Sequence, residues 1–342
     1  MMQSENMPRS SNVFLERLKS IGLGKTEIVQ LLQKLRDTKV NILLVGGTGT
    51  GKSSTINALF DMDAAKVGIG SKPETMDIRS YELENLIIWD TPGLGDSEAN
   101  DKKYKNMIAE KLKEKDASGR LLIDMVFLII DGKTRDYKSA YSLIHHIAPY
   151  LGKTKEEREN RLLVGINKCD MADDGDGWDK VRALPDANLR QVLDEKVQTT
   201  QKRILDDTGL SVTVFYYSAG RVTRDNIRAK PYNLGKLQTI IMQHIPEKKR
   251  LIIEKEANND ENNFNSNDSN IYAAQKDKMV EKSILAHIMD LFKATGSAVW
   301  GAVAGVGSVI KNVVEKNGEI VAKGAFELAM QLLKNKWGGD SK

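Results

Sequence analysis

The spacing of apolar residues divides the chain into stretches of different character. Between residues 11 and 38 the apolar positions Phe14, Leu15 and Leu18, then Ile28, Leu31, Leu32 and Leu35, recur at helical spacing. Gly22 and Gly24 interrupt them, so the pattern predicts two short amphipathic helices. From Val40 the pattern changes to short aliphatic runs: "NILLVG", "LIIWD", "MVFLIIDG" and "RLLVGINK". Each run ends in turn-forming residues, and helical segments separate most of them. This alternation predicts an α/β fold with a mostly parallel sheet covered by helices on both faces. "IRSYEL" and "NLIIWD" lie too close together around Glu84-Asn85 to enclose a helix, which predicts an antiparallel pair at the sheet edge.

Further along, a helix is expected within 171–210 over "LRQVLDEKVQTTQKRIL", a last strand over Ser211–Gly220 and a closing helix over "LGKLQTIIMQHI". Residues 256–270 are rich in Asn, Asp and Ser, with little to bury, and read as a flexible linker. The expected organisation is therefore an N-terminal helical segment (1–37), an α/β domain (38–250), the linker (256–270) and a glycine-rich, apolar C-terminal α-helical region (271–342).

Composition adds limits. The chain has 342 residues, 40% hydrophobic and 29% charged, with a net charge of +4. That balance fits a soluble globular protein, and the charge is too small to argue for nucleic-acid binding. One cysteine, Cys169, excludes an internal disulfide, and a cytoplasmic location is expected. The first twenty residues contain no apolar core of signal-peptide length.

The strongest chemical signal is "GGTGTGKSST". Gly46, Gly47, Thr48, Gly49, Thr50, Gly51, Lys52 and Ser53 fit G-x-x-x-x-G-K-[ST] between a buried strand and a helix starting near Ser54. Glycines let successive N–H groups curl around anionic oxygens, and the helix start adds its positive end. Lys52 is expected to reach the β- and γ-phosphates and Ser53 to ligate Mg²⁺. The motif says nothing about the base. "INKCD", at a strand's C-terminal end, does: the Asp170 carboxylate can accept from guanine N1–H and its 2-amino group, which adenine lacks.

The motifs "GGTGTGKSSTINAL", "KPETMDI", "WDTPGLGDS", "INKCD" and "YYSAG", spread over roughly 38–250, resemble those of Era-like GTPases in the TrmE–Era–EngA–septin branch of translation-factor-class G proteins. Within that branch the chain is most similar to the YfjP/YeeP type. The resemblance implies a G domain that binds GTP or GDP with Mg²⁺ and hydrolyses GTP slowly as a molecular switch. Thr75 would contact Mg²⁺ and the γ-phosphate, Asp90 would hold Mg²⁺ through water, and the Gly93 N–H would sense the γ-phosphate. Asn167 would buttress the loop, Lys168 would lie over the base and Asp170 would read it. Ser218 and Ala219 would close the base pocket. Leu94 stands where the best-studied small G proteins carry a water-orienting glutamine, so another group, a partner or an ion would have to assist hydrolysis, or the chain would bind GTP and scaffold without turnover. Gly49 replaces the asparagine of potassium-activated members, so potassium activation is not implied. Arg79 and Arg135 are the nearest arginines by sequence, and surface or edge-strand roles suit them better.

His145-His146 have no further ligand at metal-site spacing and read as core-edge and surface residues. Cys169 reads as a buried thiol, and the acidic run Asp173–Asp179 as a solvated loop. The segment Ala294–Ile310 is uncharged, with Gly301 and Gly305 at small-xxx-small spacing, and an amphipathic stretch follows to Trp337. Three readings stay open for it: a helical bundle, a peripheral membrane contact through 294–337 on the plan of dynamin-like or immunity-related GTPases, or a partner-binding hairpin. An unidentified protein client or activator is expected. The ribosome or another RNA is a further candidate partner, without a basic patch to support it.

Overall fold

The computed structural model describes residues 25–60, 78–93, 97–220, 229–258, 264 and 271–294. Thr75, Leu94 and nearly all of the glycine-rich apolar region lie outside the described residues, as does the first of the two expected N-terminal helices. The described residues from Gln33 to Ser283 belong to one compact unit, and those before Gln33 and after Ser283 to a second.

The first unit is built on a six-stranded sheet. In chain order the strands are β1 (Val40–Gly46), β2 (Arg79–Glu82), β3 (Leu86–Asp90), β4 (Met125–Asp131), β5 (Leu162–Asn167) and, after the two-residue hairpin β6 (Trp178–Asp179) and β7 (Leu184–Pro185), β8 (Thr213–Tyr216). Their spatial order is β2-β3-β1-β4-β5-β8. Every neighbouring pair is parallel except β2 with β3, which is antiparallel and forms the edge, as the short connection at Glu84-Asn85 requires. The fold is the mostly parallel α/β sheet that the alternation of apolar runs and helices predicts.

The helices are α1 (Lys25–Arg36), α2 (Lys52–Phe60), α3 (Glu98–Lys113), α4 (Lys138–Ile147), α5 (Lys155–Asn160), α6 (Ala187–Thr208), α7 (Leu234–His244), α8 (Arg250–Glu256) and α9 (Ile271–Ala294). α6 shows why its limits fall where they do. The Asp186 carboxylate accepts from the Leu189 N–H at its start, and Gly209 ends it in a left-handed conformation. Between them Leu189, Leu193, Thr200 and Ile204 are buried, one helical turn apart or two.

The central strands β1, β4 and β5 are buried along almost their whole length, which is what covered parallel strands require. One side of the sheet packs Leu43, Val45, Val126, Leu128 and Ile130 with Ile108, Leu112, Leu143 and Ile144 of α3 and α4. Phe127, Phe215 and Tyr217 pack together, with ring centroids 5.5 to 6.4 Å apart. Gly165 in β5 makes room for them, since a Cβ there would sit 2.8 Å from both the Phe127 and the Tyr217 ring. The closing element runs beyond the expected end of the α/β domain at residue 250. Leu251, Ile252 and Ile253 of α8 are buried, and the backbone N–H and side-chain amide of Asn258 donate to the carbonyls of Leu59 and Ala58. The polar stretch that begins at Glu256 is thus anchored at its start. No described helix is long and apolar enough to cross a membrane.

Candidate functional site

Parallel strands leave their C-terminal ends on one side, and the loops that follow β1, β3, β4, β5 and β8 meet there. The loop after β1 turns on Gly46, Gly49 and Gly51, all at positive φ. A Cβ at Gly51 would stand 2.3 Å from Asn167 Nδ2, so glycine is required there by space as well as by φ. The loop then enters α2, where Ser53 and Ser54 are exposed. Lys52 Nζ folds back to the carbonyls of Gly46 and Gly47, at 3.2 and 3.3 Å. Its ammonium is thus held over the nest of N–H groups that an anion would enter.

Asn167, at the end of β5, ties the loops together. Its Nδ2 donates to the Thr50 carbonyl at 2.9 Å, and its Oδ1 accepts from the Ala219 N–H at 3.1 Å. Asn167 is 2% exposed, so neither bond competes with solvent. Lys168 follows in a left-handed conformation (φ 59°) and its Nζ lies 2.6 Å from Asp131 Oδ2. The Cys169 N–H donates to the Tyr217 carbonyl. Tyr217 in turn shares a hydrogen bond with Thr55 of α2 at 2.8 Å. Ser218 is pinned to Tyr232 by reciprocal backbone bonds. Between these loops lies a cavity of about 480 Å³ lined by Gly51, Ser54, Lys133, Asn167, Lys168, Asp170, Met171, Ser218, Ala219 and Gly220. That volume and that mixture of backbone, amide and carboxylate groups suit a nucleoside.

The phosphate end has a different character. Asp90 ends β3 in register with Leu44, two residues before the first loop. Its Oδ1 is buried and receives no hydrogen bond from any described residue. Burial pushes the carboxyl up from the ordinary carboxylate range, against the opposing charges of Lys52 and Arg79. A buried carboxylate oxygen without a donor fits a hard cation that takes its other ligands from phosphate and water. Among the described residues no group of three or more His, Cys, Asp or Glu forms a metal cage. Gly93 packs on the first loop: a Cβ there would be 2.2 Å from Thr48 Oγ1 and 2.6 Å from Thr48 N. Thr75 lies outside the described residues and is not placed.

Residues 41–168 match the family model described as "50S ribosome-binding GTPase". They are a P-loop GTPase domain. The nucleotide this family binds is GTP or GDP. The chain is 22% identical over 228 residues to interferon-gamma-inducible GTPase 10 of Mus musculus, an alignment covering 65% of this chain and 47% of that protein. It is 31% identical over 107 residues to the probable GTP-binding protein EngB of Thermotoga sp., covering 31% of this chain and 53% of that protein. The chain therefore spans about half the length of these relatives. The solved structure of another probable GTP-binding protein EngB superposes with a TM-score of 0.37 at 19% identity, over 60% of this chain and 98% of that one.

Several groups in the GTPase domain's site carry no sequence signal of their own. Asp131, Lys133 and Lys196 belong to no phosphate or base motif. Tertiary contacts alone bring them to the base-side loop. The Cys169 thiol, fully buried, is pushed well above its usual range by burial and by Asp170 beside it, so it stays protonated and unreactive. Arg79 is opposite Asp90 in the β2–β3 register, at the exposed edge strand.

Proposed function

We propose that the chain binds GTP with Mg²⁺, hydrolyses it slowly and acts as a nucleotide-controlled switch, most similar to Era-like GTPases of the YfjP/YeeP type. The observation that carries this reading is Asn167: one buried amide joins the phosphate loop at Thr50 to the base-side loop at Ala219, so the two ends of one nucleotide would be bound by a single coupled unit.

In this reading the N–H groups of 46–54 surround the β-phosphate and Lys52 leaves its carbonyl partners for the β- and γ-oxygens. Asp170 accepts from guanine N1–H and the 2-amino group, Lys168 covers the base, Ser218 closes the pocket, and the Ala219 N–H faces the guanine carbonyl. Ser53 and Asp90, with Thr75, would hold Mg²⁺. When bound, the ion neutralises charge on the β- and γ-phosphate oxygens. The Gly93 N–H would sense the γ-phosphate, and hydrolysis would release the segments around Thr75 and Gly93 for a partner to read. With Leu94 in place of a water-orienting glutamine, unassisted turnover is expected at about 10⁻⁴–10⁻² per second.

The test is nucleotide binding by calorimetry. Lys52→Ala should abolish it, and Asp170→Asn should shift preference toward xanthine nucleotides. Wild-type GTP affinity in Lys52→Ala would remove the phosphate-site assignment.

A second reading is favoured by the uncharged run Ala294–Ile310. It makes the chain a peripheral membrane GTPase in a cytoplasmic setting, its C-terminal segment meeting lipid. Liposome flotation of the full chain with GDP and with a non-hydrolysable GTP analogue tests it. Nucleotide-dependent flotation supports the reading, and no flotation in either state turns the search to soluble clients, the ribosome among them.

A further inference from the structure

Asp131, the last residue of β4, lies beside Asn167 in the β4–β5 register, yet it belongs to neither loop of the nucleotide motifs. Its two carboxylate oxygens do different things. Oδ1 accepts from the Lys133 N–H at 3.0 Å and shapes the turn after β4. Oδ2 accepts from Lys168 Nζ at 2.6 Å. Lys168 is thereby held at its tip, while its backbone is held in a left-handed conformation at its root.

The turn that carries Asp131 is itself locked to the base-side loop. The Gly132 N–H donates to the Asn167 carbonyl at 2.6 Å. A Cβ at Gly132 would stand 2.8 Å from that oxygen, so no larger residue permits this approach. From the other side Lys196 of α6 donates to the carbonyls of Gly132 and Thr134, at 2.9 and 3.2 Å. The carboxylate is therefore delivered to Lys168 by a braced turn.

We infer that Asp131 is a positioning residue for the purine. By holding the Lys168 ammonium at one side of the cavity, it lays the aliphatic stem of Lys168 along the wall that the flat face of the base would meet. This rests on the guanine-nucleotide reading above. A lysine stem is apolar and covers an aromatic surface well, but it has many rotamers, and fixing the ammonium removes that disorder before the nucleotide arrives.

The chemistry makes the inference separable from a scaffold role. Asp131→Asn keeps an acceptor for the Lys133 N–H, so the turn survives, but it removes the charge that holds Lys168. Lys168→Met keeps a stem and removes the ammonium. If Asp131 acts through Lys168, the two losses are one loss.

The experiment is a double-mutant cycle on the full chain. It reads the Kd of a fluorescent GDP by titration, with melting temperature as a check that each variant is folded. Asp131→Asn and Lys168→Met should each weaken GDP by about tenfold, and the double variant should also weaken it by about tenfold rather than a hundredfold. The ratio of GDP to IDP affinity should stay at its wild-type value in Asp131→Asn, because a stem against the ring face does not sense the 2-amino group. That ratio should collapse in Asp170→Asn. A hundredfold loss in the double variant, wild-type affinity in Asp131→Asn, or a GDP/IDP ratio altered by Asp131→Asn would each overturn the inference. If Asp131→Asn does not fold, Asp131→Glu takes its place, and its effect on Kd must vanish in the Lys168→Met background. Failure of the wild-type chain to bind GDP would instead sink the guanine-nucleotide reading itself, so the two failures are distinct.

Discussion

Asn167 Nδ2 donates to the Thr50 carbonyl at 2.9 Å across 117 positions of sequence, in the buried centre of the site. This bond sets the phosphate loop against the base-side loop. Its loss should be felt in both binding and stability. Asn167→Ala leaves the Thr50 carbonyl and the Ala219 N–H without their partner, at a cost of about 1–3 kcal/mol for each buried group. The expected result is a lower melting temperature together with at least about a tenfold loss of GDP affinity, conservatively below the sum of those costs. A variant that binds GDP normally would show that the two loops hold their positions independently.

Gly93 tests the contact between the segment after β3 and the phosphate loop. A methyl group there meets Thr48 Oγ1 at 2.2 Å and the Thr48 backbone at 2.6 Å, so the segment has to move away. Gly93→Ala should therefore weaken a GTP analogue by about tenfold, the scale of one charge-assisted hydrogen bond, and leave GDP nearly unchanged. Paired titrations of the two nucleotides would reveal equal losses if Gly93 were needed only for folding.

Asp124 is a stability test at the opposite end of the sheet. Its carboxylate accepts from Lys249 Nζ at 2.8 Å and from the Asn41 N–H at 2.9 Å, at the start of β1. Burial pushes the carboxyl up, and Lys249 opposes that shift. Asp124→Ala strands an ammonium that is 15% exposed, and breaking such a pair costs about 3–5 kcal/mol. Urea unfolding should show that loss, while the folded fraction keeps its nucleotide affinity. A change of under about 1 kcal/mol would mean that water reaches Lys249 freely.

His244 gives a pH dependence. Its imidazole is half-buried and lies 2.7 Å from the Asn160 carbonyl. Burial lowers its pKa below 6.5, and the Asn160 contact offsets only part of that. The unfolded chain then binds the proton more tightly than the folded one. The stabilising contribution is full above pH 6.5 and is lost as pH falls through the lower folded value. His146 is shifted the same way, so it contributes a parallel slope. Melting curves between pH 7.5 and about 5 should decline less steeply for His244→Asn than for the parent. Identical slopes would place the titration elsewhere.

The sequence by itself determined the class of fold and displayed the glycine-rich and Asn-Lys-Cys-Asp motifs, because both depend on local rules. Buried parallel strands need continuous apolar runs, and "NILLVG", "MVFLIID" and "RLLVGIN" supply them. A loop that turns at positive φ favours glycine, and Gly46, Gly49 and Gly51 all lie there. The edge hairpin was legible for a similar reason, since no helix fits between Leu83 and Leu86. Tertiary structure alone decided which distant groups meet. Nothing local marks Asp131 as the partner of Lys168, or Lys196 as the brace of Gly132, because these contacts depend on how β4, β5 and α6 are laid side by side. The extension of the core through α8 to Asn258 was hidden for the same reason: a short apolar run such as "LII" is ambiguous until a neighbouring surface exists to cover it. Local chemistry needs only its own few residues, whereas a contact between loops exists only once the sheet has fixed their separation.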